Sequence, residues 1–344
     1  MAKSDIVIVT CKEDPHADDM VLQLRERGHE PIRLNTDDIP LNTTMSFCFH
    51  DGEPTWKGKI VLQTDGRTIN MENIRSIWWR RPAEYFGLPL ELSAQEREFA
   101  KLEIDHVLRA LWSLLDCYWI SYPEHIRQAS WKMGQLQRAV QYGFEVPRTL
   151  LTSDPDEVRA FYDLCNGRMI YKVLTDPFLG APRVIEKYPN QPRPEYRETK
   201  TTLITEAELE LLDSVRLVPC LFQEYVSKRN ELRVTIIGDE LFAAEIDSQS
   251  RESTSVDWRN WSDGGIDIPY RKATLPADIA ERCMMLVRSY HLNFSAIDLI
   301  LTPDGRYVFL ENNPNGQFIW VEKLVPELEM IAALASCLIR GANN

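Results

Sequence analysis

Two carboxylates interrupt the apolar runs near the end of this chain. Residues 294–320 read FSAIDLILTPDGRYVFLENNPNGQFIW, with Asp298 and Glu311 set where burial should be deepest and Asn313 two residues beyond the second. An unpaired buried carboxylate is costly, so the pair calls for a cation. Pro303-Asp304-Gly305 is turn chemistry between two strand-like segments, 297–301 and 307–310. A two-residue loop on Asp304-Gly305 sets Asp298 opposite Glu311, and Asn313 shares the Glu311 face because strand side chains alternate. A three-residue loop with a glycine bulge slips that register by one and turns the carboxylates apart. The register that gathers them is the one expected. Three oxygen ligands on one hairpin face suit Mg²⁺, a hard ion that completes its shell with phosphate and water. An edge hairpin with solvated acids is the competing reading of the same spacing.

Further charged residues stand in unusual surroundings. Lys172 lies among apolar neighbours in MIYKVL, where a lysine either snorkels or meets an anion. Glu231 and Arg233, two apart in ELRV, share a strand face, either as an exposed ion pair or as site groups. Arg259 stands between tryptophans in VDWRNW, a setting in which an arginine often only stacks.

The rest of the chain has to position these groups. At 344 residues it exceeds one ordinary core, so two or three domains are expected. A hydrophobic content of 44% with 26% charged residues matches a soluble globular protein. The net charge of −13, with no strongly basic segment to offset it, argues against a nucleic-acid binder. No apolar run approaches the roughly 18 residues of a membrane span, and MAKSDIVIVTCKED lacks the apolar core of a secretory signal. Seven cysteines are scattered without CxxC pairs, which fits neither a zinc site nor a disulfide scaffold and makes a reducing cytoplasm the simplest location. The six histidines form no HExxH cluster.

Periodicity gives the elements. DIVIVT is a short buried strand, followed by a helical stretch that stops at Gly28 and a second strand at 31–34, the β-α-β opening of a parallel sheet. No GxGxxG follows the first strand, so the opening is not a dinucleotide fingerprint. A strand and hairpin region leads to SIWWRR, and 93–116 form a long amphipathic helix. A boundary falls near SYPEHIRQAS. WKMGQLQRAVQYG is a helix expected to be capped by Ser130 and ended by Gly143, and VPRTLLTSDPDEVRAFYDLC gives a strand, a cap at Ser153 or Asp154, and a helix. GRMIYKVL is a strand; 176–202, with five prolines, reads as a hairpin or lid; ITEAELELLDSVRLVPC reads as a helix; LFQEYV is a strand; and the last 20 residues are a helix. The cluster Trp78, Trp79, Trp112, Trp119 and Trp131 reads as core or subunit interface rather than as a cofactor site.

With Lys172 on a strand, LFQEYVSKRNELRVTIIG and the carboxylate hairpin in this order, the chain resembles the ATP-grasp superfamily. SIWWRRP, FQEYVSKRNELRV, IDSQ, DWR and FLENNPNGQFIWVE narrow the resemblance to the ATP-grasp ligases that mature graspetides, the microviridin-type ribosomal peptides. The resemblance implies an α+β chain, an ATP-grasp fold behind an N-terminal α/β pre-ATP-grasp domain, divided at 1–125, 126–220 (central subdomain with lid) and 221–344. It implies ATP and Mg²⁺ clamped between the last two. Such enzymes convert side-chain carboxylates of a precursor peptide into acyl phosphates, which Ser or Thr hydroxyls or a Lys amine then attack. No enzyme nucleophile is needed, and no GxSxG or Cys/His signature is present.

Residue by residue, the resemblance places Lys172 on the α- or β-phosphate, with Lys132 as a second phosphate contact or a solvated helix residue. QEYV would be the adenine hinge, with Gln223 and Glu224 flanking it and Tyr225 and Val226 supplying N–H and C=O groups. Lys228 follows the hinge. Glu231 would accept from the ribose hydroxyls, and Arg233 would bind phosphate or the substrate carboxylate. Arg259 would lie near the γ-phosphate, Asp247 would position nucleophile or substrate, and Asp298, Glu311 and Asn313 would hold Mg²⁺. The partners implied are a precursor peptide, with its leader recognised by 176–215, and a second copy of the chain. No nucleic acid and no membrane are implied. Two alternatives stay open: an intermolecular carboxylate–amine ligase, and a catalytically silent peptide-binding module.

Overall fold

The computed structural model describes residues 6–50, 52, 54–83, 88–89, 91–175, 178–179, 197–260 and 268–343. The chain opens on a parallel four-stranded sheet ordered Ile32–Asn35, Ile6–Thr10, Ser76–Trp79, Tyr118–Ile120. Its strands are apolar on both faces because both are covered. Val7, Val9, Ile77 and Trp119 pack on one side against Leu108, Leu111 and Trp112 of the helix Ala94–Leu114 and against a three-stranded sheet, Thr43–Cys48, Lys57–Leu62 and Thr68–Asn70. Ile6, Ile8, Trp78 and Ile120 pack on the other side against Leu334 and Leu338 of the C-terminal helix Met330–Asn343. The end of the chain therefore completes the core of its beginning. Local chemistry starts these helices: Asp14 accepts the His16 N–H and precedes Pro15, while Ser93 and Glu96 form a capping box.

Gly341 is where the C-terminal helix crosses the sheet edge. A Cβ there would fall 2.6 Å from the Tyr118 Cβ and inside its ring. Gly341→Ala should therefore cost about 1–3 kcal/mol through overpacking, read as a lower urea midpoint with an unchanged m-value.

His16 makes a second tie between the two ends. Its side chain is 12% exposed, and Nε2 accepts the Phe318 and Ile319 N–H groups at 3.4 and 3.3 Å. Burial, then the positive charge of Arg80, pushes its pKa down to about 3 from 6.5, against the pull of Asp14. The folded chain thus leaves His16 neutral where the unfolded chain protonates it. Its contribution is fully present above about pH 6.5 and lost as pH falls, at up to about 1.4 kcal/mol per pH unit. In urea titrations at pH 7.5 and 5.5, His16→Gln should flatten that loss.

Two antiparallel sheets follow. The central one runs Thr202–Ile204, Met169–Lys172, Cys220–Glu224, Thr149–Thr152, backed by the helix Pro155–Leu164, which Asp154 caps. The C-terminal one runs Tyr270–Ala273, Glu240–Ile246, Asn230–Ile237, Phe294–Leu301, Tyr307–Asn313. The helices Lys132–Gln141 and Ala277–Arg288 cover one of its faces.

Several local expectations change. Ser130 does not cap the helix Lys132–Gln141; it ends the preceding helix Pro123–Ala129, where its hydroxyl donates to the Ile126 carbonyl. The acidic stretch after Ile204 is a single turn, Glu206–Leu209, capped by Thr205, then a 3₁₀ segment, Leu212–Leu217. The proline-rich segment keeps one described trace of a hairpin, Phe178–Leu179 antiparallel to Arg197–Glu198, and the rest of 176–196 lies outside the described residues. Trp79, Trp112 and Trp119 meet edge to face and Trp78 is buried on Phe318, whereas Trp131 is 62% exposed and stands apart.

Candidate active site

The carboxylate hairpin reaches the expected pairing by an unexpected route. Its turn is the three-residue one: Thr302 pairs with Arg306, Gly305 adopts φ 89°, and the strands follow as Leu301↔Tyr307, Ile300↔Val308 and Leu299↔Phe309. Continued unbroken, that register would part the acids. A bulge between Asp298 and Leu299 absorbs Leu310 and restores Asp298↔Glu311 and Ala296↔Asn313. The two-residue turn was wrong, and the gathering it was invoked for is present.

Around this pair lies a cavity between the central and C-terminal sheets. Asp298 and Glu311 line it with Lys172, Lys228, Glu231 and Arg259, and the hinge residues Gln223, Glu224, Tyr225 and Val226 form its other wall. Asn313 Nδ2 bridges Asp298 Oδ2 and Glu311 Oε1 at 3.2 Å each. Each acid also has a cation. Arg233 Nη1 donates to both oxygens of Asp298 at 2.8 and 3.0 Å, and Lys132 Nζ donates to Glu311 at 2.6 Å. Burial and the neighbouring Glu311 charge push the Asp298 pKa up, against Arg233. Glu311 is buried too, but Lys132, Arg259 and Lys172 together hold it well below the usual carboxylate range. Two carboxylates, with an amide that presents its nitrogen to them here and its oxygen once the amide is turned over, form a hard donor set beside Lys172 that fits Mg²⁺.

The opposite end is organised by Asp257, which sequence reasoning missed. It is 5% exposed, and its oxygens accept from Arg259 Nε at 2.8 Å and Nη2 at 2.9 Å. Burial alone would raise its pKa; the Arg259 fork and the Thr201 N–H bring it down to about 2. Arg259 is thereby fixed in place while 45% of its side chain stays exposed. The only signal was the i, i+2 spacing inside DWR, which a turn can close.

Residues 5–127 match the family described as the MvdD pre-ATP grasp domain. The fold matches the macrocyclase MdnC bound with precursor peptide MdnA from Microcystis aeruginosa MRC at 27% identity, over 97% of this chain and 99% of that one, with a TM-score of 0.83. It also matches a Chryseobacterium gregarium RiPP-associated ATP-grasp ligase, in complex with ADP and a leader and core peptide, at 29% identity over 98% and 97% of the two chains, TM-score 0.86. Its first domain is thus a pre-ATP grasp domain of the MvdD type, and the whole chain has the fold of these ATP-grasp ligases. No curated protein sequence matches it.

In this ligase the remaining predicted residues fall into place unevenly. Glu231 and Arg233 share a strand face but do not pair with each other: Lys228 Nζ donates to Glu231 at 2.8 Å and to the Val256 carbonyl at 2.9 Å, while Arg233 goes to Asp298. Lys132 and Arg233 act through the acids instead of lining the cavity. In the hinge, the Tyr225 N–H is already donated to the Arg168 carbonyl at 2.8 Å, so it is not available to a base as expected. Gln223 gives its amide N–H to Thr149 Oγ1 at 3.0 Å, and its buried Oε1 is left without a partner. Asp247 is not brought to the cavity wall; it precedes a 3₁₀ turn, Ser248–Ser250, and Ser250 hydrogen-bonds its carbonyl.

Proposed function

We propose that this ligase is an ATP-dependent peptide macrocyclase. It converts Asp or Glu side-chain carboxylates of a ribosomal precursor peptide into acyl phosphates and joins them to Ser or Thr hydroxyls or Lys amines. The observation that carries this reading is the convergence of Asp298, Glu311, Lys172 and Arg259 on one cavity beside the QEYV hinge, with Asn313 bridging the two acids. The peptide seen with MdnC and with the Chryseobacterium ligase supports a peptide as the substrate.

In this reading Gln223 Oε1 takes the adenine amine, Glu231, steadied by Lys228, takes the ribose, and Lys172 binds the α- or β-phosphate. Asp298, Glu311 and Asn313 hold Mg²⁺, which neutralises charge on the phosphate oxygens. The substrate carboxylate oxygen bonds to the γ-phosphorus as ADP leaves. Arg259, fixed by Asp257, steadies the transferring phosphoryl and then the acyl phosphate. The hydroxyl or amine attacks the acyl carbon, phosphate departs, and the net change in the peptide is the loss of one water. Burial lowers the Lys172 pKa, and the Glu311 charge opposes that shift.

The hairpin Phe178–Leu179/Arg197–Glu198 and the turn Glu206–Leu209 are the proposed leader contacts. Homodimerisation is proposed from the resemblance. A cytoplasmic location fits seven cysteines without disulfides, and among the described residues no helix is long and apolar enough to cross a membrane.

The test is the intact mass of a precursor peptide encoded beside this gene after incubation with the protein, ATP and Mg²⁺. Loss of one water mass per ring, dependent on ATP, is the expected result. A gain equal to an amino acid minus water would replace this reading with an intermolecular ligase. Absence of both ADP and modified peptide would leave a silent binding module.

A further inference from the structure

The segment that follows the proposed metal ligands is held from outside its own domain. Arg80, the residue after the strand Ser76–Trp79, is 1% exposed, and its backbone N–H continues the sheet to the Val9 carbonyl at 2.9 Å. Its Nη1 donates to the Asn315 carbonyl at 2.9 Å and lies 3.4 Å from Asn315 Oδ1 and 3.5 Å from the Gly316 carbonyl. Asn315 returns the contact by donating its side-chain amide to the Arg80 carbonyl. From the opposite side Arg233, already on Asp298, donates Nη2 to the Gln317 carbonyl at 3.0 Å. Gly316 sits in the vice between them, and a Cβ there would lie 2.7 Å from Arg233 Nη2 and 2.8 Å from the Ala296 Cβ. Three consecutive residues, two positions past Asn313, are thus gripped by two arginines from two sheets.

We propose that Arg80 of the N-terminal domain is a positioning residue for the reaction, holding residues 315–316 so that Glu311 and Asn313 keep the spacing that receives Mg²⁺; this rests on the functional reading above. A buried guanidinium is a costly way to glue two domains, because apolar contacts would do it without desolvating a charge. Among the described residues Arg80 Nε has no hydrogen-bond partner and lies 3.7 Å from Asp14 Oδ2, an ion pair too long for a hydrogen bond. Burial pushes the Arg80 pKa down to about 10, which still leaves it protonated at neutral pH. What this placement secures is geometry. Its planar donors fix the direction of two carbonyls, which a lysine or a methyl group cannot do. Residues that orient metal ligands in this way typically govern metal affinity by ten- to a hundredfold.

The experiment compares ADP binding by calorimetry, with and without Mg²⁺, in the wild type, Arg80→Lys, Asn315→Ala and the double variant. Thermal melts establish which of them fold. Both single variants should need about ten- to a hundredfold more Mg²⁺ for half-maximal enhancement of ADP binding, with Mg²⁺-free ADP affinity unchanged. Arg80→Lys removes the guanidinium bonds to the Asn315 and Gly316 carbonyls and Asn315→Ala the amide bond to the Arg80 carbonyl, so the double variant should be at least as impaired as either single one. A merely structural role predicts a lower melting temperature with an unshifted Mg²⁺ titration. That result in a folded variant, or unfolding of both single variants, overturns the proposal. A wild type whose ADP binding ignores Mg²⁺ would overturn the functional reading itself and take this inference with it.

Discussion

Glu311→Gln should cut ADP formation by about a thousandfold while leaving the circular dichroism spectrum and thermal melt close to wild type. The size follows from what Glu311 faces. Its negative charge stands against Lys132, Arg259 and Lys172, and it and Asp298 are the carboxylates of the hairpin that line the cavity. Metal stabilisation of transferring phosphate is worth several kcal/mol, and each 1.36 kcal/mol is about a factor of ten in rate. The fold should survive because glutamine has nearly the same shape and its amide oxygen can still accept from Lys132. Lys132 is itself 21% exposed and can recover water. ADP release in a coupled assay, beside a melt of the same sample, decides it. Turnover at the wild-type rate would remove Glu311 from the mechanism.

Arg259→Ala should lower kcat by about a thousandfold with little change in the affinity for Mg·ADP, the pattern of a group that acts on charge developing in the transition state. The substitution has a side effect that the structure makes explicit. Asp257, 5% exposed beside the intact Arg259, loses the fork that brings its pKa down to about 2. Stability should therefore drop in the single variant and recover in Arg259→Ala/Asp257→Asn, where both partners of the buried pair are removed. Activity should not recover. A double variant that regains both would reassign Arg259 to folding, and a single variant with normal kcat would exclude it from the chemistry.

The sequence was most readable where chemistry and local pattern coincide. DIVIVT followed by an amphipathic stretch and Gly28 is a parallel opening in the pattern as in the structure, and Asp154 announces a helix that forms where it should. Asp298, Glu311 and Lys172 stood out because charge among apolar strand residues needs a reason. The parts that stayed hidden depend on distant partners or on small shifts of backbone. Nothing marks Leu310 as the bulged residue, since it is neither Gly nor Pro and its neighbours are ordinary strand formers. Ser130 has the chemistry of a cap, yet the preceding helix claims it first. The pairing of Arg233 with Asp298, rather than with its near neighbour Glu231, is set by which strand lies alongside. Asp247 lies away from the cavity wall for a related reason: an acidic residue in IDSQ carries no local signal of where its loop will point.

The bulge at Leu310 also separates two parts of the hairpin that a perfect ladder would lock together. Between the turn and Leu299 the strands run in one register, and from Asp298 onward they run in the other. A designer who exchanged Pro303-Asp304-Gly305 for a two-residue Asn-Gly turn would leave Thr302 opposite Arg306, so the bulge at Leu310 would still be needed to set Asp298 opposite Glu311. Left as it is, the offset confines any change of length at the exposed tip to the residues before it, because Asp298, Glu311 and Asn313 are held by Arg233, Lys132 and each other. The tip is therefore where the chain can be cut and given new termini, or carry an inserted tag, without moving its ligands.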